Sequence, residues 1–303
     1  MRTSARLSMR NILTWALAFR WRIVLLSVSL SVALGAPSLT APLAGALLVL
    51  CVLAQSPGSA IQSAGIAAVV LGILAVFSGG QVWSAPATLI GWMLVIGMAT
   101  MVRRFGSLNL ALQLASVIAL LIIVVWSLLW TDPGSSYEAL IMGLLQPLVS
   151  QGKLPADPAG VRQLAELMPA IMVVSLLATL LISLAIGRYW HGLLTGQPRF
   201  GAEFRRYRLG RIAGLLAAAG LLAGFLLDGP GAANLKMVAG AVIVVQGLAV
   251  AHALVKEGGL GYLPLVVLYA AMVFAGQLVM PLVLAAGLVD NWLDLRGKLI
   301  SRK

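Results

Sequence analysis

The charged side chains of this chain are kept out of its long apolar runs. All nine acidic residues lie outside these runs, and so do the basic residues, with Arg20 and Arg22 at the edge of the first run. A charge at the middle of a bilayer costs at least ~2.5–3.5 kcal/mol, so this segregation is typical of a chain that crosses a membrane. Charged residues make up 10% of the chain, whereas soluble domains contain about 25%. The sequence therefore predicts an all-α, polytopic integral membrane protein.

Nine apolar runs, each bounded by glycine, proline or a charged residue, are the predicted transmembrane helices. Approximately, they are Ile23–Leu34, Leu43–Ala54, Ala64–Phe77, Thr88–Val102, Leu108–Trp130, Met168–Ile186, Ile212–Leu227, Met237–Val255 and Leu263–Leu288. The first two runs are shorter than the roughly 20 residues of a straight crossing. We expect the first to extend backward through Asn11–Phe19 and the second through Pro42 and Gln55, unless they are half-helices inside the bundle. The sequence predicts eight to nine crossings, some of them short or broken.

Arginine residues are concentrated on one predicted side of the membrane. Met1–Arg22, Arg103–Arg104 and the loop 187–211 all fall on this side, and the segment 131–167 on the opposite side is richer in acids. Cytoplasmic loops of membrane proteins carry an excess of Lys and Arg, so we expect a cytoplasmic amino terminus. This topology, together with contact with the bilayer and its anionic lipid headgroups, accounts for the formal charge of +12. We therefore expect no nucleic-acid partner.

The last apolar run leaves the side of the carboxyl tail open. Gly276, Gln277 and Pro281 interrupt Leu263–Leu288, so this run is predicted to be a broken or re-entrant helix. Counting the runs places the tail outside the cell, whereas its basic residues favour the cytoplasm. We favour the cytoplasm.

The tail, 289–303, has an amphipathic pattern. Trp292 lies on an apolar helical face with several leucines, whereas Asp290 and Asp294 lie on another face. This pattern predicts a surface helix that Trp292 anchors in the membrane interface. An alternative is that Asp290 and Arg296 form a salt bridge with the basic loop, if the tail is cytoplasmic.

The external segment, 131–167, carries a helical pattern of its own. Asp157 followed by Pro158 is a typical helix start, with an acceptor for the first free N–H groups and a proline in the first turn. Arg162 and Glu166 are spaced for an i, i+4 ion pair. Two interpretations stay open: a helical hairpin on the outer membrane surface, which we favour, and a lid over an external cavity.

No arrangement of residues in the sequence indicates catalysis. His191 and His252 each lack a second ligand at a metal-binding spacing, and Cys51 is the only cysteine. The sequence also lacks a Gly-rich phosphate loop with its following Lys and Ser/Thr. We therefore expect no enzyme activity, no metal and no cofactor. Because no acid lies within an apolar run, we expect no buried acid, and ion-driven antiport is disfavoured.

Three polar residues that enter the apolar runs are the candidates for a solute cavity. They are Gln246, His252 and Gln277. Such residues most often form hydrogen bonds between helices, and this is the interpretation we favour. The alternative is that Gln246 or Gln277 lines the cavity. Gly220 and Gly224, which are spaced i, i+4, indicate close helix packing in preference to a binding groove.

The loop 187–211 and the tail are the candidate surface for a lipid or protein partner. Arginines alternate here with aromatic residues, a pattern that suits anionic lipid at the membrane interface. A membrane or cytoplasmic protein partner is the alternative. The candidate residues are Arg188, Tyr189, Trp190, Arg205, Arg206 and Arg208 in the loop, and Asp290, Trp292 and Arg296 in the tail.

Several short motifs in the second half of the chain resemble a known family. They are Gly187–Leu194, Arg199–Phe200, Glu203–Leu209, Gln246–Ala249 and the closing Gly287–Arg296, which reads Gly-Leu-x-Asp-x-Trp-x-Asp-x-Arg. Together they resemble the proteobacterial branch of the YybS-like membrane proteins, a family known as a domain of unknown function. This resemblance implies a bacterial inner-membrane location. It also implies a distant similarity to the substrate-binding subunits of energy-coupling-factor vitamin transporters and to a rod-shape membrane protein.

Two functions follow as hypotheses. The leading hypothesis is a single polytopic domain, 1–303, that binds a small solute or takes part in transport, with a cavity among the last four runs. The alternative is a non-transporting scaffold in cell-envelope assembly that acts through its basic cytoplasmic loops.

Overall fold

The computed structural model describes residues 2–32, 37–78, 84–130, 132–153, 157–197 and 199–300, which form fourteen α-helices and no strand. The helices are α1 (Arg2–Ala18), α2 (Arg20–Val32), α3 (Pro37–Ala54), α4 (Pro57–Phe77), α5 (Ser84–Phe105), α6 (Leu108–Leu129), α7 (Pro133–Ser150), α8 (Pro158–Thr195), α9 (Phe200–Arg205), α10 (Gly210–Leu226), α11 (Pro230–Glu257), α12 (Leu263–Phe274), α13 (Gly276–Leu293) and α14 (Leu295–Ile300). Residues 131 and 154–156 of the predicted external segment, and 301–303 of the predicted tail, lie outside the described residues.

Within the described residues, six helices are long and apolar enough to cross a membrane. They are α4, α5, α6, α8, α11 and α13. The bent pair α1 and α2 adds a seventh if it counts as one span, and α3, α10 and α12 are shorter apolar helices. The prediction of an all-α, polytopic membrane protein is confirmed. The expected eight to nine crossings fall between the number of long spans and the total that includes the three shorter helices.

The chain divides into two compact units, which we name unit 1 and unit 2. Unit 1 comprises Met1–Ala115 and Leu176–Arg206, and unit 2 comprises Ser116–Ser175 and Tyr207–Lys303. The boundaries fall within α6, within α8 and after α9. Each unit therefore combines segments that are distant in the sequence.

In unit 1, the first helix does not continue straight into the second. α1 ends at Ala18 and α2 begins at Arg20, and the two helices are bent by 109° relative to each other. The Phe19 carbonyl accepts a hydrogen bond from the Arg22 N–H at 3.1 Å, which closes the turn between them. The expected backward extension through Asn11–Phe19 does not give a straight span, because the chain turns sharply at Phe19; the two helices form a broken span or a re-entrant pair.

The second short run extends as expected at its beginning. α3 starts at Pro37 and passes through Pro42, which adds more than a turn to the predicted run. It ends at Ala54, and the Gln55 N–H still donates to the Cys51 carbonyl at 2.9 Å.

Glycine allows α3 and α8 to approach closely in unit 1. A Cβ on Gly187 would lie 2.5 Å from the Cβ of Val49, and Gly45 faces the side chain of Ser183 in the same way. Real Cβ atoms do not approach other atoms this closely, so both positions require glycine for this contact. Gly187, which opens the first of the family-like motifs, thus serves helix packing.

In unit 2, α7 packs against the first turns of α8. Ile141, Val161 and Ala165 form a buried apolar cluster, against which Tyr137 and Met168 pack. The predicted helical character of the external segment is confirmed in its described residues. α8, however, runs without interruption for 38 residues, so the second helix of the expected hairpin and the following span are one helix.

The predicted start of α8 is confirmed. The helix begins at Pro158, and an oxygen of Asp157 accepts the Gly160 N–H at 3.0 Å. The predicted pair of Arg162 and Glu166 is also present, with Nε and Oε1 at 3.3 Å. Both features depend on residues within one turn of each other, which is why the sequence could predict them.

A buried asparagine bridges a proline position in α8. The side chain of Asn234 accepts the Ala170 N–H at 2.9 Å and donates to the Glu166 carbonyl at 2.8 Å. These two backbone groups are i and i−4, the pair that an uninterrupted helix would join directly. Pro169, which lacks an N–H, lies between them and disturbs this ladder. The Asn234 amide therefore takes the place of a water or a neighbouring backbone group at the disturbed turn.

The helices of the carboxyl-terminal part of unit 2 also meet at glycines, and one of them is broken as expected. A Cβ on Gly220 would lie 3.2 Å from a methyl carbon of Leu235, and Gly224 faces the backbone of α11 more closely still. The packing interpretation of these two glycines is therefore confirmed. The run Leu263–Leu288 is interrupted at Ala275, where α12 ends and α13 begins, so the prediction of a broken helix is confirmed.

Candidate functional site

A buried ion pair near the end of α13 is the centre of the candidate site. Asp290 is 0% exposed and Arg296 is 4% exposed. Between them, Asp294 ends α13 in a left-handed backbone conformation, with φ of 48°. Aspartate tolerates this conformation better than most residues. The chain reverses at Asp294, and α14 begins. This reversal brings Arg296 back to the carboxylate of Asp290, which lies one helical turn before Asp294.

The geometry of the ion pair is that of a bidentate, charge-assisted contact. Arg296 Nη2 donates to Asp290 Oδ2 at 2.6 Å, and Arg296 Nε donates to both carboxylate oxygens at 3.0 and 3.2 Å. The Arg296 backbone N–H donates to Asp290 Oδ1 at 3.2 Å. Such pairs are the strongest hydrogen bonds available to side chains, and they satisfy the desolvated carboxylate.

Gln246 and the segment before α10 close a ring around this pair. Gln246, which is fully buried on α11, donates through Nε2 to Asp290 Oδ2 at 3.2 Å and accepts the Leu209 N–H through Oε1 at 2.8 Å. Arg296 Nη2 donates to the Tyr207 carbonyl at 2.8 Å. The bonds thus run from the loop to α11, then to α13 and α14, and back to the loop. We refer to Tyr207–Gly210, Gln246 and Asp290–Arg296 as the clasp.

Two further contacts hold the same loop against the tail. Asp294 forms an ion pair with Arg208 and accepts the Gly297 N–H at 2.9 Å. Asn291 Nδ2 donates to the Gly210 carbonyl at 3.2 Å. The hydrogen bond from Gly297, and then that from Arg208, lower the pKa of Asp294 below its usual value. Asp294 is therefore ionised at neutral pH.

Close helix packing makes the clasp possible. A Cβ on Gly287 would lie 2.5 Å from the Ile243 carbonyl oxygen, and Gly247 faces the Val283 backbone. The backbones of α11 and α13 therefore touch one turn before the clasp, and this brings Gln246 within reach of Asp290.

Tyr207 was not among the residues that sequence analysis selected, yet it is fully buried. Its hydroxyl lies 3.3 Å from the hydroxyl of Ser116. Burial raises the pKa of Tyr207 to about 12, so the phenol stays neutral and acts as a hydrogen-bonding group. The only sequence signal at Tyr207 was a place within an arginine-rich segment, which suggested the surface and not the interior.

The clasp corrects three expectations about the tail. Asp290 does not lie on the polar face of a surface helix, because it is fully buried. The expected absence of a buried acid is also wrong for the same residue. Asp290 pairs with Arg296 of the tail itself, and the acid that meets an arginine of the loop is Asp294, with Arg208 as its partner. Trp292 is 48% exposed, as its predicted role at an interface requires.

The other candidate residues of the loop 187–211 belong to unit 1. The structure corrects the extent of this loop, because α8 continues through Arg188, Tyr189 and Trp190 to Thr195. Arg188 is held by a bidentate ion pair with Glu203, at 2.7 and 3.1 Å. The remaining side chains range from half-buried to exposed: Trp190 and Arg205 are half-buried, and Tyr189 and Arg206 are exposed.

Two of the three cavity candidates, Gln246 and Gln277, are not brought together. Gln246 is bonded to protein groups at both ends of its amide. His252 lies four residues after the Leu248 carbonyl, which is 2.8 Å from its Nδ1, and its ring meets Tyr269 edge-on at 5.9 Å. Gln277 is exposed in the first turn of α13 and, at 1.5 Å rise per residue, about 20 Å along that helix from Asp290. Gln246 and Gln277 therefore cannot line one small cavity.

The chemistry of the clasp is that of a structural joint. Its charged groups face each other, and both ends of Gln246 are used within the protein. The described residues contain no group of three or more His, Cys, Asp or Glu side chains that could hold a metal ion. The arrangement can hold a loop, a tail and two helices in one geometry.

Comparison with known proteins places this architecture in a family. No curated protein and no solved structure matches the chain. Residues 134–291 match the family described as "Predicted membrane protein (DUF2232)", and this match covers just over half of the chain. It includes all of α8, α7 except its first residue, and the clasp residues Gln246 and Asp290. This multi-pass membrane protein therefore belongs to the DUF2232 family of predicted membrane proteins.

Proposed function

We propose that this protein is a non-transporting scaffold of the bacterial inner membrane, with its amino terminus and its basic segments in the cytoplasm. The observation that carries the proposal is the clasp. One of the two polar residues predicted to line a solute cavity, Gln246, is bonded inside the clasp to Asp290 and to the Leu209 backbone. A residue whose bonds are all made within the protein supports a fixed architecture better than it supports a binding cavity.

A scaffold needs a surface of fixed shape, and the clasp supplies the rigidity for one. The loop before α10 and the helix α14 are short, and short elements are marginal by themselves. Bonds from Arg296, Gln246 and Asn291 hold them in place. The surface would be basic, since Arg211 is exposed at the start of α10. Its partner would be anionic, either a protein or the lipid headgroups, and no catalysis or cofactor is part of the proposal.

Photo-crosslinking in living cells tests this function. Tyr189 is 47% exposed among the arginines of unit 1, and Tyr262, which is 83% exposed between α11 and α12, is the matched control. Each tyrosine would be replaced by a photoreactive phenylalanine analogue of similar size. We expect a discrete protein adduct at position 189 that disappears when Arg206→Glu is added, and no such adduct at 262. Equal adducts at both positions would contradict the proposal.

Solute binding is the second candidate, and one observation favours it. α12 and α13 are separated at Ala275 within a single apolar run, and Gln277 is exposed just after the break. Discontinuous helices form the binding sites of many transporters. The resemblance to YybS-like proteins, and through them to energy-coupling-factor subunits, points in the same direction. We would measure thermal stabilisation of the purified protein by a panel of metabolites, and a shift that Gln277→Ala removes would favour this candidate.

A further inference from the structure

The angle between α1 and α2 suits a chain that passes from the membrane surface into the bilayer. The two helices are bent by 109°, so they are close to perpendicular. If α2 enters the bilayer near its normal, α1 must lie close to the membrane plane. The lipid-facing side of α2 is apolar, since Trp21, Leu25 and Val32 are each more than half exposed.

α1 has three distinct faces, as a helix at a membrane surface requires. Leu13 and Ala16 are buried against unit 1, and the Leu17 carbonyl accepts a hydrogen bond from Gln55 Nε2 at 2.7 Å, so the helix is held in place. The apolar side chains that remain exposed and the polar ones occupy different sides. Ile12, Trp15 and Phe19, at i, i+3 and i+7, are 55%, 48% and 54% exposed, and Arg10, Asn11 and Thr14 lie on the remaining face.

Arg22 holds the corner together and carries its charge there. Its guanidinium carbon lies 4.5 Å from the ring centroid of Trp15, 4.7 Å from that of Phe19 and 5.3 Å from that of Trp21. Its Nη1 donates to the Trp15 carbonyl at 2.8 Å, near the end of α1 where carbonyls lack helical partners. A cation is favoured at this end of a helix. Aromatic rings around an arginine are also typical of membrane interfaces.

The charges of unit 1 are not balanced within the unit. Its sequence contains eleven arginines and one acidic residue, Glu203, and that glutamate is already bonded to Arg188. Arg10, Arg20 and Arg22 therefore have no carboxylate left in their own unit. Arg20 donates to the neutral amide of Gln62 at 2.7 Å. No acidic residue of unit 1 is therefore available to neutralise this end of the unit, and an anion from outside unit 1 would do so.

We infer that α1 lies in the headgroup layer of the membrane and that the corner between α1 and α2, which carries Arg20 and Arg22, binds the phosphate of an anionic phospholipid. The exposed face of Ile12, Trp15 and Phe19 would rest among the acyl chains, as in other interfacial helices. This assignment differs from a simple topology signal, because it places one helix in the membrane plane and one lipid class at its end. It does not depend on the scaffold proposal.

Spin labelling of the full chain in phospholipid nanodiscs tests the position of α1. Ile12→Cys and Thr14→Cys, each in a Cys51→Ala background, place a nitroxide on opposite sides of the helix. We expect the label at 12 to collide more with oxygen than with a water-soluble nickel chelate, and the label at 14 to show the reverse. Equal nickel accessibility at both positions would place α1 in water, and equal exclusion of nickel would place it inside the bilayer. Either result would overturn the inference.

Lipid titration of the detergent-solubilised protein, detected by native mass spectrometry, tests the phosphate site. We expect phosphatidylglycerol to bind more tightly than phosphatidylcholine. Arg22→Gln and Arg20→Gln should each weaken phosphatidylglycerol binding by about fivefold, the effect of one basic residue at a membrane surface. Arg162→Gln is the matched control, because that arginine already faces Glu138 and Glu166. Equal binding of the two lipids, or an equal loss in the control, would contradict a specific site.

Discussion

Unit 1 and unit 2 neutralise their charges in opposite ways. Unit 1 contains eleven basic residues and one acid, whereas unit 2 contains ten basic residues and eight acids. In unit 2, acids pair with bases of the same unit: Asp290 meets Arg296 in the interior, and Asp294 meets Arg208 at a partly exposed position. In unit 1, eleven arginines share a single acidic residue, Glu203, so most of their charge is not balanced by an acid of the same unit.

The difference separates two uses of charge in one membrane protein. A pair that is buried, as in the clasp, must overcome a large desolvation cost, and it then contributes geometry more than net stability. An arginine that stays at the surface has little effect on folding, but it fixes the orientation of the chain and attracts anionic molecules. Substitutions in unit 2 should therefore change stability, and substitutions of unpaired arginines in unit 1 should change binding.

The largest effect should come from breaking the buried pair. Asp290→Ala leaves the charge of Arg296 without a carboxylate in the interior, and we expect the free energy of unfolding to fall by about 3–5 kcal/mol. Unfolding in mixed detergent–SDS micelles measures it. Asp228→Ala, at an exposed position, is the control and should change stability by less than about 0.5 kcal/mol. A double variant, Asp290→Leu with Arg296→Met, should recover part of the loss. Equal losses of stability for Asp290→Ala and Asp228→Ala would refute the buried pair.

The second-largest loss of stability should come from removing the hydrogen bonds that Asn234 makes across the turn at Pro169. Asn234→Leu keeps a similar volume but leaves the Ala170 N–H and the Glu166 carbonyl without their side-chain partner. We expect a loss of about 1–3 kcal/mol in the same unfolding assay. Hydrogen exchange should increase at Ala170 and should not increase in α13. If Asn234→Leu reduced stability no more than Asp228→Ala does, the Asn234 amide would not be needed for the stability of the fold.

Unit 1 offers a matched test at its one internal ion pair. Glu203→Gln removes the carboxylate that holds Arg188, whose side chain is only 13% exposed, and we expect a loss of about 1–2 kcal/mol. Arg104→Gln, at an exposed arginine of the same unit, should leave stability in neutral detergent unchanged within about 0.5 kcal/mol. If both changes cost the same, the distinction between paired and unpaired arginines would fail.

The smallest effect should be at the rim of the clasp. The pKa of Asp294 is lower in the folded protein than in the unfolded chain, so the charge of Asp294 stabilises the fold above the unfolded value of about 3.9. This contribution is lost as the pH falls through the lower, folded pKa. Because the pair with Arg208 is partly exposed, Asp294→Asn should cost less than about 1 kcal/mol at pH 7. The loss of unfolding free energy caused by Asp294→Asn should decrease as the pH falls below 4. A loss that does not change with pH would show that it comes from the shape of the side chain and not from its charge.

Local features were predictable because their causes lie within a few residues. The capping oxygen of Asp157, the pair of Arg162 and Glu166, and the break near Gly276 all follow from spacing along one helix. The turn at Phe19 was missed, because an apolar run looks the same whether it is straight or bent. Asn234 was missed because its partners are more than sixty residues away, in another helix.

The clasp is the clearest example of a feature that could not be predicted from the sequence. Trp292 and Asp294 are partly exposed, as their pattern predicts, but Asp290 was predicted to lie on the same polar face as Asp294, and it is buried against Arg296. Their burial depends on the left-handed turn at Asp294 and on the contact of Gly247 with α13. A helical pattern assumes that the helix continues, so it cannot anticipate such a reversal.

The sequence by itself determined the membrane environment and the all-α fold, because the order of apolar and charged residues along a chain decides what a bilayer will accept. It also determined that the arginines are concentrated in a few segments of the chain. Only the tertiary structure decided which charges are buried and which stay exposed. The reason is physical: the cost of burying Asp290 is offset by Arg296, Gln246 and a loop backbone that meet only when three distant segments pack together.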